Sequence, residues 1–579
     1  MSISGTNIFK ILDQKTILRL LKRSIQLMEL HDENSFKIRN YQSALNNIDR
    51  NDISVIDKNV DQLQSEAGMG KSIAEFVFSL ATTGTHPYLE ELLAKTPSGI
   101  LEILEIKGLG PKKVKALWED LNITSTHELL EACQAGQVAI AKGFGEKTQV
   151  SILASLQFRE ANQGKWLYAD IEDMVFELTT NIKGLKGVKD ITAVGDFGRK
   201  LEIIETVECL VSTENQREAM SEISGLKNLE QDKKSSSPFK WSGKIIEPQV
   251  NLTIHFAKPS HFVEEKIVRT GTKAHLLHLA EGEKTMIEVL RENPQITSEN
   301  EFYEKARLPW IPEELREGYI EFDLAKAGKI PQLLEDKDLK GILHNHSTYS
   351  DGKHTLRQMA EYCKELGYEY LGISDHSRAA FYAGGLEIEK VQKQHLEIDQ
   401  LNKELAPFRI FKGIESDILT DGSLDYPDEV LAGFDFIVSS IHSNLGMDRK
   451  KATSRLLNAI ANPYTTILGH PTGRLLLRRE GYPIDHKVII DACAIHNVVI
   501  EINANPWRLD LDWRWVNYAM EKGVMLSINP DAHEMEGYAD MKYGVIAGRK
   551  GGLTKDMTFN ARSANEIEKY FQDRKSKIK

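Results

Sequence analysis

His344 and His346 stand one residue apart at the end of a short apolar run, and Asp351 follows the second by five residues. In an extended segment side chains alternate, so both imidazoles project to one side, and a carboxylate returning from the next loop adds an oxygen donor. The same residue types recur down the chain as His376, Glu415, His442, His470, Asp531 and His533. A single histidine at a strand end is more often a hydrogen-bonded structural residue than a ligand. Six imidazoles and three carboxylates together exceed what one ion needs, whereas two or three divalent ions sharing bridging carboxylates would use them all. Nitrogen and oxygen donors without thiolate suit manganese, zinc or iron, and the donor set does not choose among these. Closely spaced cations activate water and stabilise charge on a phosphoryl oxygen, so phosphate-ester hydrolysis is the expected chemistry. Arg474, Arg478, Arg479 and Arg508, in "GHPTGRLLLRREGY" and "NANPWRLDLDW", are candidates for gripping a substrate phosphate.

Such donors must be gathered by something. Seven apolar runs, "GILHNH", "YLGISDH", "RIFKGIE", "FDFIVSSIH", "TTILGH", "VVIEIN" and "VMLSINPDAH", are separated by helix-length stretches, the pattern of a parallel-stranded barrel with helices outside. Chemistry in such barrels sits at the C-terminal ends of the strands. Every run but the sixth ends in at least one of the nine donors, and the sixth ends in Glu501 and Asn503.

Upstream the pattern changes. Residues 1 to about 160 read as helices, and three segments repeat a theme: "EAGMGKSIAEFVFSL", "IKGLGPKKVKALW" and "AKGFGEKTQVSIL". Each carries glycine, one residue, glycine and then lysine: Gly68, Gly70 and Lys71; Gly108, Gly110, Lys112 and Lys113; Gly143, Gly145 and Lys147. Paired glycines let the backbone approach a phosphate while the free amides of the following helix face the anion, as in a helix-hairpin-helix DNA clamp. From about 161 to 325 strands and helices mix, and a linker near 326 to 340 leads to the barrel.

The bulk properties bound the partners. A chain of 579 residues, 41% hydrophobic and 27% charged, has the composition of an ordinary soluble multidomain protein, and no apolar stretch approaches a membrane span. Its start lacks a basic region leading into an apolar one, and its four cysteines are widely spaced, so a cytoplasmic protein with free thiols is expected. A formal net charge of -12 excludes coating nucleic acid by bulk attraction, so DNA binding must be local.

"HNHSTYSDG", "SDH", "KGIESDI", "SSIHS", "LGHPTG" and "NPDAH", in that order, resemble the polymerase and histidinol phosphatase (PHP) domain of metal-dependent phosphoesterases. That resemblance, over about 341 to 579, implies a distorted seven-stranded barrel with a trinuclear site built on all nine donors. The whole chain resembles bacterial family X DNA polymerases with a C-terminal PHP domain. This implies a helical DNA-binding domain (1–90), a helix-hairpin-helix fingers-like domain (91–160), an α+β palm and thumb (161–325) and the barrel (336–579). It also implies gap-filling polymerisation and a manganese-dependent 3′-to-5′ exonuclease acting on gapped or 3′-ended duplex DNA.

The palm departs from the family. Where members carry a glycine-serine turn with following arginines, an aspartate-x-aspartate pair and a third aspartate, this chain has Gly195, Asp196, Gly198 and Arg199, then Thr206 and Glu208, then Asn251. Three metal-holding carboxylates have become one, and Asp196 puts like charge where a triphosphate would lie, costing on the order of 1 to 4 kcal/mol at about 4 Å. Glu202 and Glu205 are the carboxylates that a shifted register would bring in. Where members with deoxyribose-phosphate lyase activity place their Schiff-base lysine, this chain has Phe76, which cannot form an imine. The expected function is 3′-end processing of DNA on a polymerase scaffold whose own site is inactive. The alternatives are an active family X polymerase, a small-molecule phosphatase of the histidinol phosphate type, and a non-catalytic DNA-binding scaffold.

Overall fold

The computed structural model describes residues 14–578 apart from 51, 52, 57, 68, 107, 281, 282 and 329. The chain divides into two compact units, Met1–Gln163 and Gly164–Lys579.

The described part of the first unit is helical. Three of its helices, α1 (Lys71–Thr83), α2 (Pro111–Leu121) and α3 (Glu146–Ala161), each start directly after the second glycine of a repeated segment, with Gly70, Gly110 and Gly145 as extended N-caps. Their first amides therefore lack a side-chain cap. Helical spacing buries Ile73, Phe76, Val77 and Leu80 of α1 and Val114 and Leu117 of α2 in one core. Phe76 is fully buried, its ring 5.2 Å from that of Tyr41 and 4.6 Å from that of His86.

The second unit contains a five-stranded sheet of β1 (Asp190–Val194), β2 (Thr206–Ser212), β3 (Leu229–Gln231), β4 (Lys240–Ile245) and β5 (Val250–Ala257), ordered β1-β2-β5-β4-β3. The β2 and β5 strands are parallel and the other pairs antiparallel. The helix Tyr168–Lys183 presents Ile171, Val175, Leu178 and Ile182 to the core shared with Trp241 and Ile254. Short helices follow, with the wholly buried His275 hydrogen-bonded to Glu321 Oε1 (2.9 Å) and the Tyr303 hydroxyl (3.1 Å).

Seven parallel strands then form the barrel: β6 (Gly341–Ile342), β7 (Tyr370–Ile373), β8 (Arg409–Asp417), β9 (Phe436–Ser440), β10 (Ile467–Leu468), β11 (Val499–Asn503) and β12 (Leu526–Asn529), neighbours in chain order. Helices such as Leu356–Glu365, Ile388–Glu404 and His486–His496 alternate with them and cover the outside. Strands buried on both faces read as continuous apolar runs, which is why the sequence marks them so clearly. The ring closes beyond the ends of β6 and β12, where Asn345 bridges Ala532 in parallel. There the His346 amide donates to Ala532 O (2.8 Å) and the Asp531 amide to His344 O (3.1 Å).

Sheet and barrel share ion pairs and hydrogen bonds within this unit. Glu202 accepts from Trp513 Nε1 and from Arg514 (both 3.1 Å), and the buried Lys550 donates to Arg199 O (3.1 Å) and pairs with Glu317. Among the described residues no helix is long and apolar enough to cross a membrane.

Candidate metal centre and nucleic-acid contacts

Barrel closure sets the geometry of the site. His344 and His346 flank Asn345 on one strand extension, Asp531 and His533 flank Ala532 on the other, and the two segments are hydrogen-bonded side by side. Alternation does place both imidazoles of the first pair inward, with rings 5.4 Å apart and no exposure. Asp531 takes a left-handed backbone (φ 52), a conformation aspartate tolerates better than most residues, and its Oδ1 lies 3.0 Å from His346 Nε2.

Glu415, inside β8, is the hub. Its Oε1 lies 3.0 Å from His470 Nε2, 3.1 Å from His442 Nε2 and 3.3 Å from His344 Nε2, and its Oε2 lies 2.9 Å from His376 Nδ1. Asp351 reaches in from its loop, with Oδ1 3.5 Å from His533 Nε2 and 3.6 Å from His376 Nε2. The structure thus brings all nine donors together. Three overlapping groups have ligand atoms within 4.8 Å of one another: His346, Asp351, His376 and His533; His344, His346 and Asp531; and His376, Glu415 and His442.

Charge balance is set by this crowding. Burial disfavours the Glu415 carboxylate, but His442, His344 and His376 overcome that and hold it well below its ordinary range. Burial would likewise depress His442, and Glu415 with Asp417 outweighs it, holding the imidazole up to about 10. His346, buried with His533 and His376 beside it, is pushed down to about 3.

The donor set fits divalent cations. Buried polar atoms rarely lack partners, yet His344 Nε2, His376 Nδ1 and Glu415 Oε2 make no hydrogen bond, even though the last two lie 2.9 Å apart. Donor atoms that converge without sharing a proton are what a cation requires. The sides of the rings away from the centre are held, as is usual for ligating histidines. His344 Nδ1 meets Glu501 Oε1 at 2.7 Å, His442 Nδ1 meets Asp417 Oδ1 at 3.1 Å, and His533 Nδ1 meets Asp531 O at 3.0 Å. Asp375 is buried beneath the Asp351 loop, where it accepts from Ser347 N and Oγ (both 2.7 Å), Ser350 Oγ (2.5 Å) and Gln394 Nε2 (2.6 Å). Sequence reasoning assigned no role to Glu501, Asp417 or Asp375. The signal was a carboxylate set in each of the runs "VVIEIN", "KGIESD" and "GISDH".

The four arginines separate. Arg508 Nε lies 3.5 Å from Asp531 Oδ2, beside the donors. Arg479 hydrogen-bonds Gly473 O (2.7 Å), and its buried Nε has no partner. Arg478 is exposed, its guanidinium stacked 3.4 Å over the Trp507 ring. Arg474 departs from the expectation: it is committed to Arg508 O (2.8 Å), Leu509 O and Asp512, so it braces the loop rather than facing a substrate.

In the helical unit, Gly108 and Gly143 occupy left-handed turns (φ 87 and 86), where a Cβ would meet nothing within 4 Å, so the space above each turn is open. Arg39, Lys112 and Lys113 line one cleft with Gly108 and Gly110. Lys71 and Lys147 follow their capping glycines, while Gly68 lies outside the described residues.

On the palm-like sheet, Thr206 and Glu208 share one face of β2, and Asn251 stands opposite Thr206 on β5. Glu208 Oε2 is 2.9 Å from His255 Nε2, and a Cβ on Gly195 (φ 62) would come within 2.8 Å of Glu208 Oε1. Arg199 is buried and paired with Asp196 and Glu317, and donates to Thr270 O (3.0 Å). Gly198 packs so that a Cβ would lie 2.9 Å from Ala193 O. Glu202 is engaged with the barrel as described, and the exposed Glu205 precedes β2.

Seven parallel strands closing around such a donor cluster define a PHP domain, and the family model described as "PHP domain" matches residues 343–505. A second, "SAM-like Helix-hairpin-helix tandem", matches residues 100–157, which hold the second and third repeated segments. The chain is 33% identical over 581 residues to the DNA polymerase/3′-5′ exonuclease PolX of Bacillus subtilis (strain 168), covering 96% of this chain and 99% of that one. The chain therefore belongs to this PolX family, the bacterial family X polymerases with a C-terminal PHP domain. A probable phosphatase of Thermoanaerobacter sp. (strain X514) is 25% identical over 259 residues, 42% of this chain and 98% of that one. A histidinol phosphate phosphatase of Lactococcus lactis subsp. lactis Il1403, solved with zinc, L-histidinol and phosphate, aligns at 18% identity and TM-score 0.30, covering 37% of this chain and 94% of that one.

Proposed function

We propose that this chain is a metal-dependent 3′-to-5′ exonuclease that trims or cleans DNA 3′ ends, on a polymerase frame whose nucleotide-adding site is inactive. The observation that carries the reading is the pairing of an intact nine-donor cluster with a palm that retains one carboxylate of three. The nuclease half is consistent with the printed name of the Bacillus relative, and the helical clamps fit a DNA substrate better than a free metabolite.

Two or three divalent ions held by His344, His346, Asp351, His376, Glu415, His442, His470, Asp531 and His533, manganese first with zinc and iron as alternatives, would supply an activated water and neutralise phosphoryl charge. The chain's own contribution is orientation. Glu501 fixes His344 so that Nε2 faces the centre, Asp417 does the same for His442, and Asp375 pins the loop that delivers Asp351. Arg508 is placed to pair with a phosphate oxygen next to Asp531, and Arg479, near Arg508, adds positive charge there. Lys71, Lys112, Lys113 and Lys147, with the glycine turns, hold gapped or 3′-ended duplex by its phosphates.

In the palm, Glu208 is paired with His255 rather than left free, Asn251 and Thr206 offer no charge, and Arg199 is bound to Asp196 and Glu317. Such a surface lacks the carboxylates that two magnesium ions at a primer end require. The test is product analysis on a 3′-ended duplex with manganese. Release of nucleoside 5′-monophosphates, abolished by chelation and restored by metal, is expected. Release of inorganic phosphate from 3′-phosphorylated ends with no nucleotide removed would overturn the exonuclease assignment.

A further inference from the structure

Two large aromatic side chains stand exposed at the mouth of the barrel. Phe381 is 84% and Tyr382 63% exposed, although an aromatic ring normally gains from burial. They sit at the tip of a short loop that starts directly after His376. That loop is fixed: Ser377 bridges Leu386, the Leu386 amide donates to His376 O (2.9 Å), and the Gly385 amide donates to Ala380 O (3.1 Å). Gly385 packs so tightly that a Cβ would lie 2.0 Å from Ser377 O, and the Ala379 amide is held by Asp425 Oδ2 at 2.6 Å. Across the loop, a Cβ on Gly384 would lie 3.2 Å from the carbonyl of Ser350, the residue before Asp351. The two rings are edge to face, with centroids 5.9 Å apart.

Rigid aromatic faces next to a phosphate-hydrolysing centre have an obvious complement. In a nucleic-acid end the base lies one sugar away from the phosphate, and base stacking on an aromatic ring is sequence-tolerant because every base has a π-face. Arg508, 3.5 Å from Asp531, supplies matching positive charge beside the donors.

We infer that Phe381 and Tyr382 form a stacking platform for the unpaired terminal bases of a DNA 3′ end, positioning the scissile phosphate over the donor cluster. The inference rests on the exonuclease reading and deepens it. An unpaired terminal base can swing out of the helix and lay its face on these rings, so the platform engages a frayed or single-stranded end.

The experiment uses the full chain with manganese and two 5′-labelled single strands, one ending in a natural nucleotide and one in a reduced abasic residue. A third strand, with 2-aminopurine at its 3′ terminus, is followed by fluorescence on mixing. Wild type is expected to favour the natural end in kcat/KM by about tenfold or more, the size of one lost stack, and to quench the 2-aminopurine. In the Phe381→Ala/Tyr382→Ala variant the ratio should fall toward one and the quenching should disappear, whereas Phe381→Trp should keep both. Both side chains are exposed, so an unchanged unfolding temperature is expected. A double variant that retains discrimination and quenching overturns the platform and leaves the exonuclease standing. A wild type that shortens neither strand overturns the exonuclease reading, and the platform with it.

Discussion

Glu501 was not among the nine donors, yet the structure makes it a keystone. Its Oε1 accepts from His344 Nδ1 (2.7 Å) and Asn529 Nδ2 (3.3 Å), and its Oε2 accepts from the His470 amide (2.8 Å) and Asn503 Nδ2 (3.4 Å). A carboxylate offers about four acceptor sites, and four donors occupy them. Glu501→Gln keeps the shape but turns one oxygen into a donating amide, which must then face one of these donor pairs whichever way it rotates. Each unpaired buried donor costs about 1–3 kcal/mol, and loss of a carboxylate that orients a ligating histidine typically weakens metal binding by about 10- to 100-fold, or about 1.4–2.7 kcal/mol. Metal retained after dialysis against a graded series of chelator, measured by elemental analysis, should show that loss, with turnover falling in parallel at limiting manganese and recovering in part at excess. Circular dichroism should show the barrel still folded. Wild-type metal retention together with wild-type turnover in Glu501→Gln would refute the claim that Glu501 sets the His344 ligand.

Three further outcomes follow from other parts of the molecule. His344→Ala or Asp531→Ala should abolish hydrolysis while DNA binding measured by fluorescence anisotropy survives; either variant turning over like wild type would remove that residue from the centre. Lys112→Ala with Lys113→Ala should weaken DNA binding and reduce the magnitude of the salt slope by about 1.8, one phosphate per lysine, whereas an unchanged slope would take them out of the interface. His395 is held down to about 4, chiefly by burial and then by Lys412, and its Nε2 has no partner. Because the unfolded chain binds the proton more readily, the stability linked to His395 is complete above about pH 6.5 and is lost as pH falls toward 4, by at most about 3 kcal/mol. Chemical denaturation of His395→Phe across pH 4 to 7 should therefore show a shallower acid loss than wild type, and an identical slope would contradict the assignment.

What the sequence disclosed follows from periodicity. Alternation in "HNH" and the apolar runs of buried parallel strands were readable because period two and hydrophobic continuity are local properties, and all seven runs contain barrel strands. That a helix follows the second glycine of each repeated segment was readable because that motif too is local in the chain. Roles set by partners distant in sequence were not. Arg474 and Arg508 look alike in the chain, and the fold alone sends one to Asp512 and the other to Asp531. Glu202, near enough in sequence to pass for a palm carboxylate, is held by Trp513 and Arg514 about 310 residues away. Arg199 is engaged by Glu317, and Asn345 closes the ring on Ala532. Phe381 and Tyr382 drew no notice because an aromatic pair in a sequence does not announce that it stays exposed.

The central claim, hydrolysis by the barrel on an inactive polymerase frame, is tested most directly with a 5′-labelled primer annealed across a short gap. Incubation uses the full chain, manganese and all four nucleotides, and products are resolved on a sequencing gel. The account predicts shortening without extension, lost in His344→Ala. Extension of the primer would contradict it, and would return Thr206, Glu208 and Asn251 to an active site.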